Sequence, residues 1–208
     1  MNPFFRLLIK ISYLIYPYKV LGKENIPNGG AILVCNHFSF VDPLYLVSFN
    51  KKNLSVLAKK ELFKKKFIGG LLKNCGGIPV DRDNPDLSTI ISAIKVLKNG
   101  NKLAIFPEGT RNKSNTLELQ PIKSGSAVFA VKAKCPIVPI MIERKARVFR
   151  KNHIIIGKPF ELSDYYGKKL NEQDYLDLDL IITDKMKSEQ NSLFNYLNEK
   201  KRKNKWSL

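Results

Sequence analysis

Apolar residues along this chain fall into short blocks separated by polar or glycine-bearing turns, and their spacing switches between a period of two and one of about 3.6. At the N-terminus Arg6, Lys10, Tyr13 and Tyr16 stand four, three and three apart, with apolar residues around most of the remaining circumference. That spacing predicts an amphipathic helix with a broad apolar face and a basic, tyrosine-bearing edge, ended by Pro17. Ala31–Cys35, after the turn Pro27-Asn28-Gly29-Gly30, reads as a buried strand. A helix opened by Asp42 and Pro43 and running over Pro43–Phe49 follows, then a strand at Leu54–Ala58. Lys60–Asn74 reads as a broken helix containing Gly69-Gly70, and Gly77–Val80 as a short strand. Leu87, Ile90, Ile91, Ile94 and Leu97 share one face of a helix over Leu87–Lys98, which stops at Asn99-Gly100. Lys102–Phe106 predicts a strand, Ile122–Ala133 a helix and Ile137–Ile142 a strand. Arg147–Ile156 alternates charged and apolar residues in its first half, as an edge strand or hairpin arm does. From Ser163 onward the chain is polar and helical in character, ending in the basic stretch Lys200–Lys205.

Strands alternating with helices of these lengths predict an α/β fold with a mostly parallel central sheet flanked by helices. An N-terminal amphipathic helix (residues 1–20) and a helical C-terminal segment with a basic tail (161–208) bracket a main domain over 21–160. In such sheets ligands gather outside the carboxyl ends of the strands.

Composition narrows the class. The 208 residues are 44% hydrophobic, enough for a sizeable core. Three cysteines, Cys35, Cys75 and Cys135, are too few and odd in number for a disulfide framework, and read as buried thiols in a reducing compartment. No stretch reaches the roughly 20 apolar residues of a spanning helix, nor the uninterrupted apolar core of a secretory signal. The net charge of +18 calls for an anionic partner: nucleic acid, an acidic protein or a membrane surface. Only seven of the 36 basic residues are Arg, and lysine-dominated charge suits diffuse attraction better than base reading. The N-terminal helix suits either packing on its own domain or lying in a bilayer interface.

Two loops carry candidate chemistry. Asn36-His37-Phe38-Ser39-Phe40-Val41-Asp42 follows the first predicted strand. Five helical steps would set His37 and Asp42 roughly 140° apart, but Pro43 disfavours helical geometry at Asp42 and suits the first helical position. A turn at that point can fold the two side chains together, so that Asp42 fixes one imidazole nitrogen and frees the other as a base. Taken alone, the pair reads better as a helix-capping aspartate beside a turn histidine. Phe106-Pro107-Glu108-Gly109-Thr110-Arg111 follows a later strand: Pro and Gly make a sharp turn, and Arg111 offers a fork for phosphate. Between them, Gly76-Gly77-Ile78-Pro79-Val80-Asp81-Arg82 is again glycine-rich with an Arg at its end. His153 lies in an alternating strand with no partner motif and reads as a surface or edge-strand histidine. Neither Cys35 nor Cys75 has a basic partner at a readable spacing, which argues against a cysteine nucleophile.

Four blocks together resemble the glycerolipid acyltransferases. Asn36–Asp42 is similar to their N-H-x-S-x-x-D block, Gly77–Arg82 to the second, Phe106–Arg111 to the third, and Ile137-Val138-Pro139-Ile140 to the fourth, in family order and over roughly residues 20–160. The short chain most resembles the bacterial lysophosphatidate acyltransferases; Asn112 departs from the Ser that many members carry. The resemblance implies acyl transfer from an acyl carrier protein or coenzyme A thioester to the sn-2 hydroxyl of lysophosphatidate. It implies His37 as general base oriented by Asp42, and Lys59, Arg82 and Arg111 as cations for the acceptor phosphate. Glu108, Gly109 and Thr110 fall in the acceptor-binding block, where Glu108 would orient an Arg or a glycerol hydroxyl, and Pro139 would shape the acyl site.

No metal-ligand spacing, P-loop or dinucleotide fingerprint is present in the sequence, so no cofactor beyond the acyl donor is expected. Two other readings carry different expectations: a related acyltransferase using glycerol 3-phosphate or another lysophospholipid, and a non-catalytic basic module binding membrane or nucleic acid. Lys51, Lys52, Lys59, Lys60, Lys64, Lys65, Lys66 and Lys73, with the apolar Phe67-Ile68, add a second interfacial signal. The expected partners are therefore lysophosphatidate, the acyl donor and an anionic membrane surface rather than nucleic acid. The expected place is the cytoplasmic face of the cell membrane, held peripherally or monotopically.

Overall fold

The computed structural model describes residues 3–50, 54–81, 86–114, 116–122 and 125–205. Its strands are β1 (Tyr18–Leu21), β2 (Ala31–Cys35), β3 (Leu54–Lys59), β4 (Ile78–Val80), β5 (Lys102–Ile105), β6 (Ile137–Ile142) and β7 (Asn152–Ile156). Its helices are α1 (Pro3–Ile15), α2 (Asp42–Phe49), α3 (Lys66–Asn74), α4 (Leu87–Lys98), α5 (Ser126–Ala133) and α6 (Glu172–Lys205). The seven strands form one sheet in the order β1-β7-β6-β2-β5-β3-β4. Five are mutually parallel; β7 runs antiparallel to β6 and parallel to β1. The expected α/β architecture is the one observed.

The central strands β2, β5 and β6 are buried along their whole length. Their apolar runs, broken only by the buried Lys102 at the start of β5, are what a parallel sheet covered on both faces requires. The direction of the crossovers places the covering helices. From β2 the chain moves through α2 toward β3, whereas from β4 and from β5 it moves back through α4 and α5. Right-handed crossovers put α2 on one face and α4 and α5 on the other. In agreement, α4 packs on α5, α5 on α6, and α1 on α2. The C-terminal helix shares the core, burying Leu178, Ile182, Met186 and Leu193 along one stripe. Its buried Asp179 accepts N–H bonds from Gly125 (3.0 Å) and Ala127 (3.1 Å), satisfying donors that α5 leaves free at its start.

Four expectations change. Tyr18–Leu21 forms a strand that the pattern does not announce, because it is four residues long and half-exposed. The charged alternation of Arg147–Lys151 belongs to a turn, so the strand begins at Asn152. That strand is interior, since β1 pairs outside it; His153 is accordingly 5% exposed rather than at the surface. Its Nδ1 lies 2.6 Å from Glu143 and its Nε2 2.8 Å from Lys200 Nζ. The predicted helix start at Ile122 moves to Ser126, with Lys123 and Ser124 outside the described residues.

Candidate active site

Adjacent strands β2 and β5 pair in register through Val34 and Ile105, so the loops that leave their carboxyl ends emerge side by side. One loop leads to α2 and the other toward α5, which lie on opposite faces of the sheet. Such a divergence between neighbouring strands opens a crevice at the carboxyl edge. His37 stands on the first loop and Glu108 on the second.

The loop after β2 is folded around one carboxylate. Asp42, fully buried, accepts hydrogen bonds on Oδ2 from Phe38 N (2.6 Å), Ser39 N (2.7 Å) and His37 Nδ1 (2.9 Å), and on Oδ1 from Ser39 Oγ (2.8 Å). An ionised carboxylate has no proton to donate, so His37 carries its proton on Nδ1 and leaves a lone pair on Nε2. The imidazole is stacked on Phe106 with centroids 4.2 Å apart and keeps 15% of its surface exposed. Asn36 fastens the loop to β6: its Nδ2 donates to Ile142 O (3.0 Å) and its Oδ1 accepts from Ile142 N (2.7 Å).

The second loop locks the first. Gly109 N donates to Phe106 O (3.0 Å) to close a turn, and Gly109 sits at φ 69°, where a side chain would be strained. The turn aims Glu108 back into the protein. Its Oε1 accepts from His37 N (2.7 Å) and its Oε2 from Gln120 N (3.2 Å). Glu108 thus holds the backbone of His37 and of Gln120. Burial lifts its carboxyl to about 7 against the pull of those two N–H groups, with the nearby Asp42 charge adding to the rise. Asn112 N donates to His37 O (2.6 Å), and Asn112 Oδ1 accepts from Ser114 N (2.8 Å). Asn112 therefore shapes the loop through its side chain and the site through its backbone.

The remaining site candidates lie at different distances from this centre. Arg111 is exposed and stacks over Phe40, Cζ to ring centroid 4.0 Å, so the motif arginine and the His37 loop meet. Thr110 Oγ1 makes a long bond of 3.5 Å to Gln120 Oε1. Lys59 ends β3, two strands from β2, and is exposed with a loose 3.8 Å pairing to Glu61. Arg82 lies outside the described residues, as do Lys51 and Lys52; Asp81, the described residue just before it, is paired with Lys60. Ser39, Phe106, Gln120 and Asn36 are the contributors that residue chemistry alone passes over. Of these, Asn36 and Ser39 already occupy fixed positions of the motif.

A family model described as Acyltransferase matches residues 17–143, well over half of the chain and all of the loops just described. The chain belongs to the Acyltransferase family. A 1-acyl-sn-glycerol-3-phosphate acyltransferase of Bacillus subtilis is 39% identical over 154 residues, covering 71% of this chain and 75% of that protein. Its counterpart in Streptococcus pneumoniae is 34% identical over 159 residues, covering 72% of this chain and 57% of its own length. The crystal structure of the 1-acyl-sn-glycerophosphate (LPA) acyltransferase from Thermotoga maritima superposes with a TM-score of 0.67 at 26% identity, over 90% of this chain and 78% of that one. This acyltransferase therefore shares the α/β architecture of the Thermotoga protein, and the resemblance of its four blocks reflects membership of the family.

Proposed function

We propose that this chain acylates the sn-2 hydroxyl of 1-acylglycerol 3-phosphate with an acyl thioester, yielding phosphatidate and the free thiol of the donor. The observation that carries the reading is the His37–Asp42 pair, with Asp42 saturated by four donors and the His37 side chain still 15% exposed at the carboxyl edge of the sheet. The substrates named for the Bacillus and Streptococcus relatives support the choice of acceptor.

The reaction follows from the tautomer. His37 Nε2 takes the proton of the sn-2 hydroxyl as its oxygen attacks the thioester carbonyl. Asp42 stays ionised and stabilises the imidazolium that forms. Collapse of the tetrahedral intermediate breaks the carbon–sulfur bond, and the imidazolium returns its proton to the departing thiolate. Direct transfer is supported by the state of the cysteines: Cys35 is fully buried, and burial pushes its thiol well above the ordinary range. Arg111, stacked on Phe40 with the edge of its guanidinium free of that ring, is suited to the acceptor phosphate, with Lys59 and Arg82 as further cations. Gly109 and Thr110 line the same turn. Lysine-rich surface charge suits both an anionic bilayer and an acidic acyl carrier.

The lipid acceptor is delivered at a membrane in this reading, with residues 1–20 as the docking segment of a domain spanning 21–160 and a helical C-terminal segment over 161–208. Phe4, Leu7, Ile11 and Leu14 are exposed at helical spacing on α1, an outward apolar stripe flanked by exposed Arg6 and Lys10. Among the described residues no helix is long and apolar enough to cross a bilayer. The cytoplasmic face, where acyl thioesters are made available, is the side it would dock on. Incubating the protein and its His37→Ala variant with an acyl thioester and a panel of acceptors, with lipids identified by mass, tests the assignment. Phosphatidate from the parent alone is expected. Acylation of glycerol 3-phosphate or of another lysophospholipid in its place overturns the acceptor, and no acyl transfer at all overturns the enzyme.

A further inference from the structure

The turn joining β6 to β7 has no part in the chemistry, yet it is built in an unusual way. Arg150 N donates to Arg147 O (3.2 Å), closing a tight turn whose two central residues are Val148 and Phe149. Both are turned to solvent, 54% and 76% exposed. Phe149 also sits at φ 55°, in the left-handed region that bulky side chains avoid. Lys145, Arg147, Arg150 and Lys151 are exposed around the pair. The conformation is held from outside the turn: Phe149 N donates to Ile15 O at the last residue of α1 (2.7 Å), and Asn152 N to Pro17 O (2.9 Å). Arg144 Nη2 bonds Lys151 O (2.7 Å) across its base. A strained aromatic kept in water by three braces is better explained by a use than by packing.

Its position indicates the use. The turn leaves the carboxyl end of β6, the neighbour of β2 to which Asn36 is fastened at Ile142, and so lies on the edge of the sheet that carries His37. β1 starts at the same edge, which brings the end of α1 there with exposed Leu14. An apolar tip inside a ring of cations, continuous with an apolar helix face, matches the anionic interface of a bilayer: the cations reach headgroups while the tip enters the acyl region.

We propose that the Arg147–Arg150 turn is a second membrane-inserting element, a wedge clamped to α1 that turns the catalytic edge toward the lipid. The inference rests on the membrane reading above and adds a site to it. A nucleic acid stacked on Phe149, or a second copy of the chain, would use the same exposure but leave the apolar stripe of α1 without a role.

The test uses the full chain with its single tryptophan, Trp206, changed to Phe, carrying Phe149→Trp, and phosphatidylglycerol–phosphatidylcholine vesicles with brominated acyl chains. Vesicles are expected to shift the emission to the blue and quench it. In the otherwise unaltered chain Phe149→Gly, which relaxes the left-handed position, should lower vesicle partitioning about tenfold with thermal stability kept or raised and turnover on detergent-dispersed acceptor unchanged. Normal flotation of Phe149→Gly together with unquenched emission overturns the wedge and leaves α1 as the docking element. Failure of the parent chain to float overturns the membrane reading and the wedge with it. A spectral response to single-stranded RNA but not to vesicles, or a dimer in sedimentation that Phe149→Gly dissociates, overturns the wedge in favour of those partners.

Discussion

Asp42 gathers His37 Nδ1, two backbone N–H groups and the Ser39 hydroxyl on one buried carboxylate, so one residue both shapes the loop and sets the imidazole tautomer. In Asp42→Asn an amide NH₂ replaces an acceptor that faces donors. We expect kcat to fall by about 10²–10⁴-fold, the span of general-base catalysis, and stability to fall by about 1–3 kcal/mol as buried donors lose their partner. Steady-state kinetics alongside thermal denaturation measures both losses, and an intact kcat would remove His37 from the role of base. Glu108 makes a different prediction. Its folded pKa of about 7 lies above its ordinary 4.5, so the folded state holds the proton more tightly. The stability this contributes is fully present below about pH 4.5 and is lost as pH rises through about 7. Denaturation midpoints across that window should slope downward in the parent protein, and Glu108→Gln should lack this component.

At the scale of elements, the stretch Lys60–Asn74 shows how a glycine pair misleads. The helical break falls at Lys65, extended at ψ 120°, between a 3-10 turn over Lys60–Lys64 and α3. Gly69 lies inside α3 because a methyl group there would stand 2.3 Å from Phe63 O, whereas Gly70 has open space around it. Gly69→Ala should therefore destabilise by about 1–3 kcal/mol through overpacking. Gly70→Ala should be neutral or stabilising, by up to about 1 kcal/mol, since alanine favours the helix. Chemical denaturation of the two variants separates these outcomes, and equal effects would contradict the packing argument. The same distinction decides what was legible beforehand. Ala31–Cys35 was readable to the residue because burial on both faces sets its pattern, and Leu87–Lys98 was readable in its bounds but not in its buried face, which is Thr89, Ala93 and Leu97 while Leu87 and Ile91 are exposed. Tyr18–Leu21 was not readable, because an edge strand of four half-exposed residues has no pattern to show.

For the whole molecule, the proposed docking combines the +18 charge with the outward faces of α1 and the β6–β7 turn. Each basic residue near an anionic surface is worth about 1 kcal/mol, and the attraction decays over a Debye length of about 8 Å at physiological salt. Flotation with liposomes should thus require anionic lipid and weaken as salt is added, leaving a salt-resistant remainder from the apolar contacts. Equal binding to neutral vesicles would contradict the electrostatic part. Lys59–Lys66 and the N-terminal helix were visible in the chain as basic and amphipathic; that Phe4, Leu7, Ile11 and Leu14 point outward was not, because the broad apolar face must also supply Ile9 to the interior.

Composition, periodicity and four short blocks were enough to specify an α/β sheet, its central strands and the loop residues proposed to carry acyl-transfer chemistry. These are local properties: a run of apolar residues encodes its own burial, and a motif carries its own functional groups. Which loops meet is a property of the crossovers. Only the order β6-β2-β5-β3 sets His37 beside Glu108 across neighbouring strands, turns Glu108 into a brace for the His37 backbone, and buries His153 beneath α6 with Glu143 and Lys200. Contacts between residues tens of positions apart leave no periodic trace in either segment, so chain topology decides them.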